Sequence, residues 1–204
     1  MSKKVVAIVG TYRKGHIIDS AVSALLESAA ELGAETEKIY LLDRHIEFCT
    51  NCRKCVQDKN ASLRGTCIHD DDMEQILSKI DAADAVVLAS PVNFSTVTAL
   101  MKRFVERLIP YGYWPWGSLA PKMRNNKNKP KKKAVIITSS ACPAFLARIL
   151  MRNPLMVMKM AAMTIGAKVV KKIYYGTVAI EEDQKLSERA IRKAKRCAKK
   201  LLTD

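Results

Sequence analysis

Short apolar runs alternate along this chain with longer segments of helical periodicity, and this alternation most restricts the folds open to it. Five apolar, partly β-branched runs predict strands at residues 4–9, 36–42, 84–90, 134–139 and 168–178. Apolar residues recurring every three or four positions predict helices over 18–32, 73–83, 97–108, 144–165 (with an interruption near Pro154) and 182–202. Repeated strand–helix units favour a parallel sheet covered by helices on both faces. We therefore predict one α/β domain, a three-layer sandwich, over residues 1–204.

Three loops are the places to look for a ligand site in such a fold. Ligands of open parallel sheets bind beyond the carboxyl ends of the strands, near the point where the strand order reverses. The loops that follow the first, third and fourth predicted strands cover residues 10–19, 90–96 and 139–143. We expect them to meet at one edge of the sheet.

The first loop, residues 10–19 (GTYRKGHIID), joins a strand to the start of a helix. The first N–H groups of a helix have no intrahelical partner and lie at the positive end of its dipole, so a phosphate is favoured there. Thr11 adds a hydroxyl donor, and Arg13 and Lys14 add positive charge. The loop lacks the glycine patterns of nucleoside-triphosphate and dinucleotide sites. It predicts either a phosphate site or an ordinary turn with solvated basic side chains.

The other two loops are compact and polar. Residues 90–96 (SPVNFST) place a proline turn, an amide and a ring at a strand end, which suits the edge of a flat heterocycle. Residues 139–143 (SSACP) are small and carry hydroxyls, so a ligand can approach them closely. Each loop alone could equally be a strand-to-helix turn, with Ser95 or Thr96 capping one helix and Pro143 starting another. Three such loops at one sheet edge together indicate a ligand site.

Cysteines cluster in one segment, residues 47–69. Four of the six cysteines fall within 19 residues: Cys49, Cys52, Cys55 and Cys67. Four thiolates are the ligand set of an iron–sulfur cubane. Zinc also takes four cysteines, usually as two separated pairs. The residues leave three interpretations open: a [4Fe-4S] cluster, a zinc ion, or thiols without a metal.

The start of the chain and the cysteine usage bear on the compartment. MSKKVVAIVG turns at once into a strand, without the apolar stretch and cleavage site of a signal peptide. Clustered cysteines in a cytosolic protein indicate metal binding or catalysis rather than a disulfide framework. We therefore expect a cytoplasmic protein, and no apolar run is long enough to predict a membrane span.

The chain is strongly basic, with a formal net charge of +15. Residues 121–133 and 189–200 each hold seven lysines or arginines and no acid. Such segments predict solvated surface, or a surface that attracts anionic ligands or an acidic protein. No nucleic-acid-binding module is recognisable, so we expect no nucleic-acid partner.

An aromatic and basic insertion is predicted over residues 110–133. Its first part, PYGYWPWG, carries Tyr111, Tyr113, Trp114 and Trp116. Crowded aromatic residues in a long connection indicate local packing, a wall over a bound ligand, or a subunit interface.

Three stretches resemble a known family. The segments GTYRKGHIIDSAV, ASPVNFSTVTALMKRFVERL and CTNCRKC…CIHDDDM resemble those of the flavodoxin-like flavin reductases, and most of all those of the iron-sulfur flavoproteins of anaerobes. The similarity spans nearly the whole chain. It implies a flavodoxin-like sheet of five parallel strands in the order 2-1-3-4-5, FMN as the cofactor, NAD(P)H as a co-substrate, and homodimers or dimers of dimers.

The resemblance also implies which residues hold the cofactors. The residues expected at the phosphate are Thr11, Arg13, Lys14, Ile17 and Ile18. Tyr12 replaces the family's proline, and Ile17-Ile18 stand where the family has Asn-Thr. The residues expected along the ring and ribityl chain are Pro91, Val92, Asn93, Phe94, Ser95, Ser139, Ser140 and Ala141. The ligands of a [4Fe-4S] cluster would be the four clustered cysteines, although eleven residues precede the fourth, a longer gap than in the family motif.

The function predicted from these features is that of an FMN-dependent oxidoreductase. It would transfer electrons from NAD(P)H or a reduced carrier to an acceptor, through a [4Fe-4S] cluster if the cysteines hold one. We predict no catalytic acid or base, because the flavin carries the chemistry and the protein binds, orients and tunes it. An acidic electron-carrier protein would suit the basic surface. The alternatives are an NAD(P)H-dependent quinone or flavin reductase without a cluster, and a basic binding module that holds no flavin.

Overall fold

Five parallel strands form one sheet in the computed structural model, which describes residues 2–124 and 132–203. The strands of the chain are β1 (Lys4–Val9), β2 (Glu35–Tyr40), β3 (Ala85–Ala89), β4 (Gly112–Tyr113), β5 (Lys122–Met123), β6 (Lys132–Ser139) and β7 (Ala167–Tyr175). The sheet has the order β2-β1-β3-β6-β7, while β4 and β5 form a separate antiparallel pair. With the sheet strands counted in chain order this is 2-1-3-4-5, so the predicted flavodoxin-like topology is confirmed.

Helices cover both faces of the sheet. They are α1 (Ile17–Glu31), α2 (Met73–Ala82), α3 (Ala99–Glu106), α4 (Ala144–Leu150), α5 (Asn153–Thr164) and α6 (Glu188–Leu202). α1 and α6 bury their apolar residues on one face, and α2, α3 and α5 bury theirs on the other. β3 is apolar throughout because side chains on both of its faces are buried. None of the described helices is long and apolar enough to cross a membrane.

Two predicted helices differ from the structure by more than two residues at an end or are divided. The segment 144–165 is divided into α4 and α5, and the break precedes Pro154, which sits in the first turn of α5. Proline suits that position because its missing N–H would have no intrahelical partner there. The last helix begins at Glu188 rather than at 182, because Ser187 caps it by accepting a hydrogen bond from the N–H of Ala190. Residues 176–187 are therefore an irregular connection.

The aromatic insertion packs on the cysteine segment. The guanidinium of Arg53 lies 3.9 Å from the ring centre of Trp114 and 4.2 Å from that of Trp116. The N–H of Trp114 donates to the carbonyl of Val56 at 2.9 Å. For Trp114 and Trp116, these contacts agree with local packing, one of the three interpretations of the aromatic insertion. The basic residues 125–131 of the insertion lie outside the described residues.

Candidate functional site

A cavity of about 350 Å³ opens where β1, β3 and β6 end. The three predicted loops form its walls, together with part of the connection 176–187. The predicted residues that line it are Thr11, Arg13, Ile17, Ile18, Pro91, Val92, Asn93, Ser139, Ser140 and Ala141. The volume is within the usual range of small-molecule sites, about 300–1,000 Å³. The predicted convergence of three loops at one sheet edge is thus present in the structure.

Lys14 does not line this cavity. Its ammonium group pairs with the carboxylate of Asp43 at 2.6 Å and lies 4.8 Å from the ring centre of Tyr40. These contacts direct the side chain toward the end of β2, away from the loops after β3 and β6. Of the two neighbouring basic residues in the first loop, only Arg13 lines the cavity.

Phe94 and Ser95 also lie outside the cavity lining. They occupy the tip of a tight turn in which the backbones of Asn93 and Thr96 exchange two hydrogen bonds, of 2.8 and 2.9 Å. Both tip residues have left-handed φ angles, 42° and 64°, which this kind of two-residue turn requires. Phe94 is consequently fully exposed, whereas Asn93 at the base of the turn lines the cavity.

The first loop offers hydrogen-bond donors to the cavity. Thr11 is buried, and its Oγ1 accepts from the N–H of Arg13 at 3.2 Å, which leaves the hydroxyl proton without an acceptor among the described residues. His16 precedes α1 and its side chain does not cap the helix. Arg13 donates from Nη2 to the carbonyl of Glu182 at 2.9 Å and so reaches across to the connection 176–187. The donor set is one suited to an anion.

Asp19 holds this loop in shape, and the sequence analysis did not single it out. Its Oδ2 accepts from the N–H of Gly15 at 2.6 Å, and its Oδ1 accepts from Lys38 Nζ and from the Tyr40 hydroxyl, each at 2.7 Å. Burial alone would raise the pKa of Asp19, but the hydrogen bonds from Lys38 and Gly15 outweigh it and lower the pKa below its usual value. The ionised form is therefore the one that stabilises the fold.

Replacing Asp19 with asparagine is expected to lower the free energy of unfolding at neutral pH by about 2 kcal/mol. Because the folded-state pKa is lowered, the ionised carboxylate adds stability above its unfolded pKa of about 4. That contribution is lost as the pH falls through the folded-state value, so the two proteins should converge in acid. Urea titrations between pH 7 and pH 3 measure the difference. Asp43→Asn, which breaks an exposed ion pair, should change stability little; an equal loss in both variants would contradict the assignment.

Hydrogen bonds tie the loops to one another. The N–H of Val92 donates to the carbonyl of Ser139 at 2.8 Å, which joins the second loop to the third. The Thr98 hydroxyl donates to the carbonyl of Gly10 at 2.6 Å, and the N–H of Thr98 donates to Ser90 Oγ at 3.1 Å. Thr98, not Ser95 or Thr96, is the N-cap of α3. The cavity is thus built from mutually bonded loops.

The connection between β7 and α6 forms a fourth wall. The residues that it contributes are Val178, Ala179, Glu182 and Gln184. Its position is set by backbone bonds from Thr177 N–H to the Cys142 carbonyl, 3.1 Å, and from Val178 N–H to the Ser140 carbonyl, 3.3 Å. Sequence analysis missed this wall because it extended the flanking strand and helix into it.

The four clustered cysteines line a second, small cavity. Cys55 is buried, and the other three are partly exposed. Burial, and then the charge of the neighbouring thiols, raises the pKa of Cys55 to about 11. The Nε2 atom of His69, which lines the same cavity, is buried and has no hydrogen-bond partner among the described residues. Within residues 2–124 and 132–203, no three His, Cys, Asp or Glu side chains converge closely enough to hold a single metal ion.

The backbone of the cysteine segment is tightly folded. Asn51 and Arg53, between the first three cysteines, have left-handed φ angles of 54° and 60°. Gly65 lies so close to Cys55 that a Cβ atom there would be 1.8 Å from the Cys55 carbonyl oxygen. The N–H of Gly65 donates to the carbonyl of Pro110 at 2.9 Å. These contacts bring the segment that carries Cys67 back onto the other cysteines.

Comparison with known families agrees with this geometry. Residues 3–174 match the family described as NADPH-dependent FMN reductase. The chain belongs to this family. The match includes β1, β3 and β6 with the three loops that follow them, and it ends in β7. It confirms the resemblance noted in the sequence.

Individual relatives of this FMN reductase family member were found by sequence and by structure. An iron-sulfur flavoprotein of Archaeoglobus fulgidus is 37% identical over 112 residues, which are 55% of this chain and 48% of the relative. The chain therefore matches about half the length of this relative. An NAD(P)H:quinone oxidoreductase from Methanothermobacter marburgensis has a TM-score of 0.74 at 18% identity, covering 100% of this chain and 98% of that one. An FMN-dependent NADH-azoreductase from Bacillus anthracis, solved with FMN, has a TM-score of 0.69 at 13% identity, covering 100% of both chains. The two structural likenesses establish the fold.

Proposed function

We propose that this chain is an FMN-dependent oxidoreductase that transfers electrons from NAD(P)H or a reduced carrier to an acceptor, with a [4Fe-4S] cluster held by the four clustered cysteines. The observation that carries the flavin assignment is the cavity in which three polar loops and an uncapped helix start meet beyond β1, β3 and β6. Family membership supports the cofactor and the nicotinamide donor.

The first loop suits the FMN phosphate. We assign the phosphate to the backbone N–H groups at the start of α1, the Thr11 hydroxyl and the Arg13 guanidinium. All three are hydrogen-bond donors, and the positive end of the α1 dipole favours an anion at this place. The hydroxyl proton of Thr11 has no acceptor among the described residues and is available to a ligand. Ile17 and Ile18 contribute backbone N–H groups and apolar contact rather than a hydroxyl.

The second and third loops suit the flavin ring and the ribityl chain. Pro91, Val92 and Asn93 offer a rigid turn with donors and acceptors, and the small residues Ser139–Ala141 leave room for a flat ring. When bound, FMN supplies chemistry that exchanges electrons singly or in pairs, which suits a nicotinamide on one side and a one-electron carrier on the other. The residues of this chain would bind the cofactor and fix its orientation.

The cysteine cavity suits an iron–sulfur cluster. A cubane offers a separate iron to each of four thiolates, so the thiolates need not converge on one point. The buried Nε2 atom of His69, for which the described part of the chain offers no partner, would find an acceptor in a sulfur-rich group. All six cysteines are free thiols, as is usual in the reducing cytoplasm where we place the protein. The similar Archaeoglobus fulgidus protein carries the name iron-sulfur flavoprotein.

Protein purified without oxygen tests the whole proposal. Its visible spectrum should show a flavin together with the broad absorption of a cluster, and chemical analysis should find iron and sulfide. A yellow, iron-free protein would favour a quinone or flavin reductase without a cluster. A colourless protein that does not bind added FMN would contradict the flavin assignment and favour a binding module.

Replacing Arg13 with alanine is expected to raise the dissociation constant of FMN about tenfold. A hydrogen bond to a charged group is worth about 1.5–3 kcal/mol, and the partial exposure of Arg13 places it at the lower end. Fluorescence quenching of FMN during titration measures the constant. Lys14→Ala is the matched control, since it removes the same charge from the same loop outside the cavity. Equal affinity of Arg13→Ala and wild type would contradict the phosphate site.

We also propose that the chain forms a homodimer or a dimer of dimers. The exposed apolar side chains of α4 and α5 include Phe145, Ile149, Leu150, Met156 and Met160. Exposed apolar side chains on two consecutive helices are typical of association sites. The basic residues of α6 would attract an acidic electron-carrier protein. Light scattering tests the interface: the molar mass of Met160→Glu should be lower than that of wild type. Salt tests the carrier surface: the rate of reduction by acidic carriers should fall as the salt concentration rises.

A further inference from the structure

Arg107 makes a buried contact with one of the clustered cysteines. It directly follows α3, and only 2% of its side chain is exposed. Nη2 donates to Cys67 Sγ at 3.4 Å and to Asp71 Oδ1 at 3.2 Å. Nη1 donates to Asp71 Oδ2 at 2.6 Å and to the carbonyl of Glu47 at 2.7 Å.

These bonds join both ends of the cysteine segment to the end of α3. Glu47 lies two residues before Cys49, and its N–H donates to Asp71 Oδ2 at 2.7 Å. Asp71 also accepts from the N–H of Met73 at the start of α2. Arg107 and Asp71 therefore bond the backbone just before the first cysteine and the sulfur of the last cysteine into one unit.

A buried cation is expensive to desolvate, and packing alone would be served equally well by an apolar side chain. Asp71 compensates the charge of Arg107, yet one N–H of the guanidinium is directed to sulfur rather than to an oxygen acceptor. An N–H···S hydrogen bond stabilises negative charge on the sulfur. In iron–sulfur sites such hydrogen bonds and the local net charge set the reduction potential.

We propose that Arg107 is a positioning residue that holds Cys67 and raises the reduction potential of the cluster. This inference rests on the proposed function, since it requires a cluster on the four cysteines. One-electron reduction adds a negative charge, and a buried guanidinium with a hydrogen bond to a ligand sulfur stabilises the reduced state more than the oxidised state. Asp71 opposes this effect, so the two residues act on the potential with opposite signs.

Redox titration of anaerobically reconstituted protein, followed by electron paramagnetic resonance, tests the proposal. Arg107→Met should lower the equilibrium constant for one-electron reduction about tenfold, which is a shift of about 59 mV to lower potential. Asp71→Asn should shift the potential upward, because it removes the opposing charge and leaves Arg107 in place. Arg107→Lys, which keeps the charge but not the forked geometry, should lie between Arg107→Met and wild type.

Arg64→Met is the matched control. Arg64 lies in the cysteine segment, is also little exposed and pairs with Glu74 and Asp81, but it bonds to no cysteine among the described residues. Its replacement should leave the potential unchanged.

The outcomes separate this inference from the proposed function. A wild-type protein that takes up no iron overturns the cluster assignment, and this inference with it. A wild-type cluster whose potential is unchanged in Arg107→Met and Asp71→Asn, or shifts in the same direction in both, overturns this inference alone. Where Arg107→Met fails to fold, an upward shift in Asp71→Asn supports the inference and an unchanged potential overturns it.

Discussion

Replacing Cys55 with alanine is expected to remove nearly all iron from the protein. Cys55 is the most buried of the four clustered thiols, and its backbone is held by the close approach of Gly65. Losing a group that merely supports a metal ligand already costs roughly 10–100-fold in affinity, so losing a ligand should cost more. Iron content after anaerobic reconstitution measures the effect, with loss of the brown colour as the visible sign.

The flavin should remain in the Cys55→Ala protein. No described residue lines both the cavity beyond β1, β3 and β6 and the cysteine cavity, so we expect that each proposed site can be disabled separately. Cys197→Ala is the matched control, because Cys197 is a buried thiol on α6, remote from the cysteine segment. It should keep both iron and flavin. Full iron content in Cys55→Ala would show that this thiol is not a ligand.

Replacing Gly176 with alanine is expected to destabilise the fold and to weaken FMN binding together. A Cβ atom at this position would lie 2.1 Å from the backbone nitrogen of Ala144 and 2.7 Å from the Cys142 carbonyl oxygen. Relief requires backbone movement at the start of α4, and overpacking of this kind costs about 3 kcal/mol. The midpoint of thermal unfolding should fall by about 6–12 °C.

The effect on the flavin follows from the neighbours of Gly176. The carbonyl of Tyr175 accepts from the N–H of Ser140, and the N–H of Thr177 donates to the carbonyl of Cys142. A displaced residue 176 therefore moves the loop 139–143, which lines the cavity. Thermal unfolding with and without FMN measures both consequences, since a protein that binds FMN poorly gains little stability from it.

Gly33→Ala provides the comparison. Gly33 has a left-handed φ of 86°, but no described residue has an atom within 4 Å of the position of a Cβ atom there. Its replacement should cost about 1 kcal/mol for conformation alone and leave FMN affinity unchanged. An equal loss of stability in Gly176→Ala and Gly33→Ala would contradict this prediction. It would mean that the Cβ atom at position 176 is accommodated without moving the loop 139–143.

Local patterns in the sequence were sufficient to predict most of the architecture. β3 is an uninterrupted apolar run because both of its faces are buried, and such a run is visible without a structure. The same holds for the loops beyond β1, β3 and β6, since parallel strands place their carboxyl ends at one edge. Ten of the thirteen residues predicted for the cofactor line one cavity for this reason.

The remaining site residues depend on contacts distant in sequence. Lys14 turns away because Asp43, 29 residues later, attracts its ammonium group. Asp19 reads as an ordinary acid in a first helical turn until Lys38 and Tyr40 are brought beside it by β2. The sequence did not predict that residues 176–187 form a cavity wall, because Ser187, rather than the apolar pattern, determines where α6 begins.

By itself, the sequence determined the alternation of strands and helices, the loops that meet at one sheet edge and the segment that carries the thiols, because periodicity and spacing are local properties of the chain. The strand order came from the resemblance to a known family. Only the tertiary structure decided which charged side chains serve those sites. Arg107 illustrates the difference: 40 residues separate it from Cys67, and nothing in its surroundings along the chain marks it as a sulfur contact. A buried charge takes its role from the groups that compensate it, and folding alone brings those groups together.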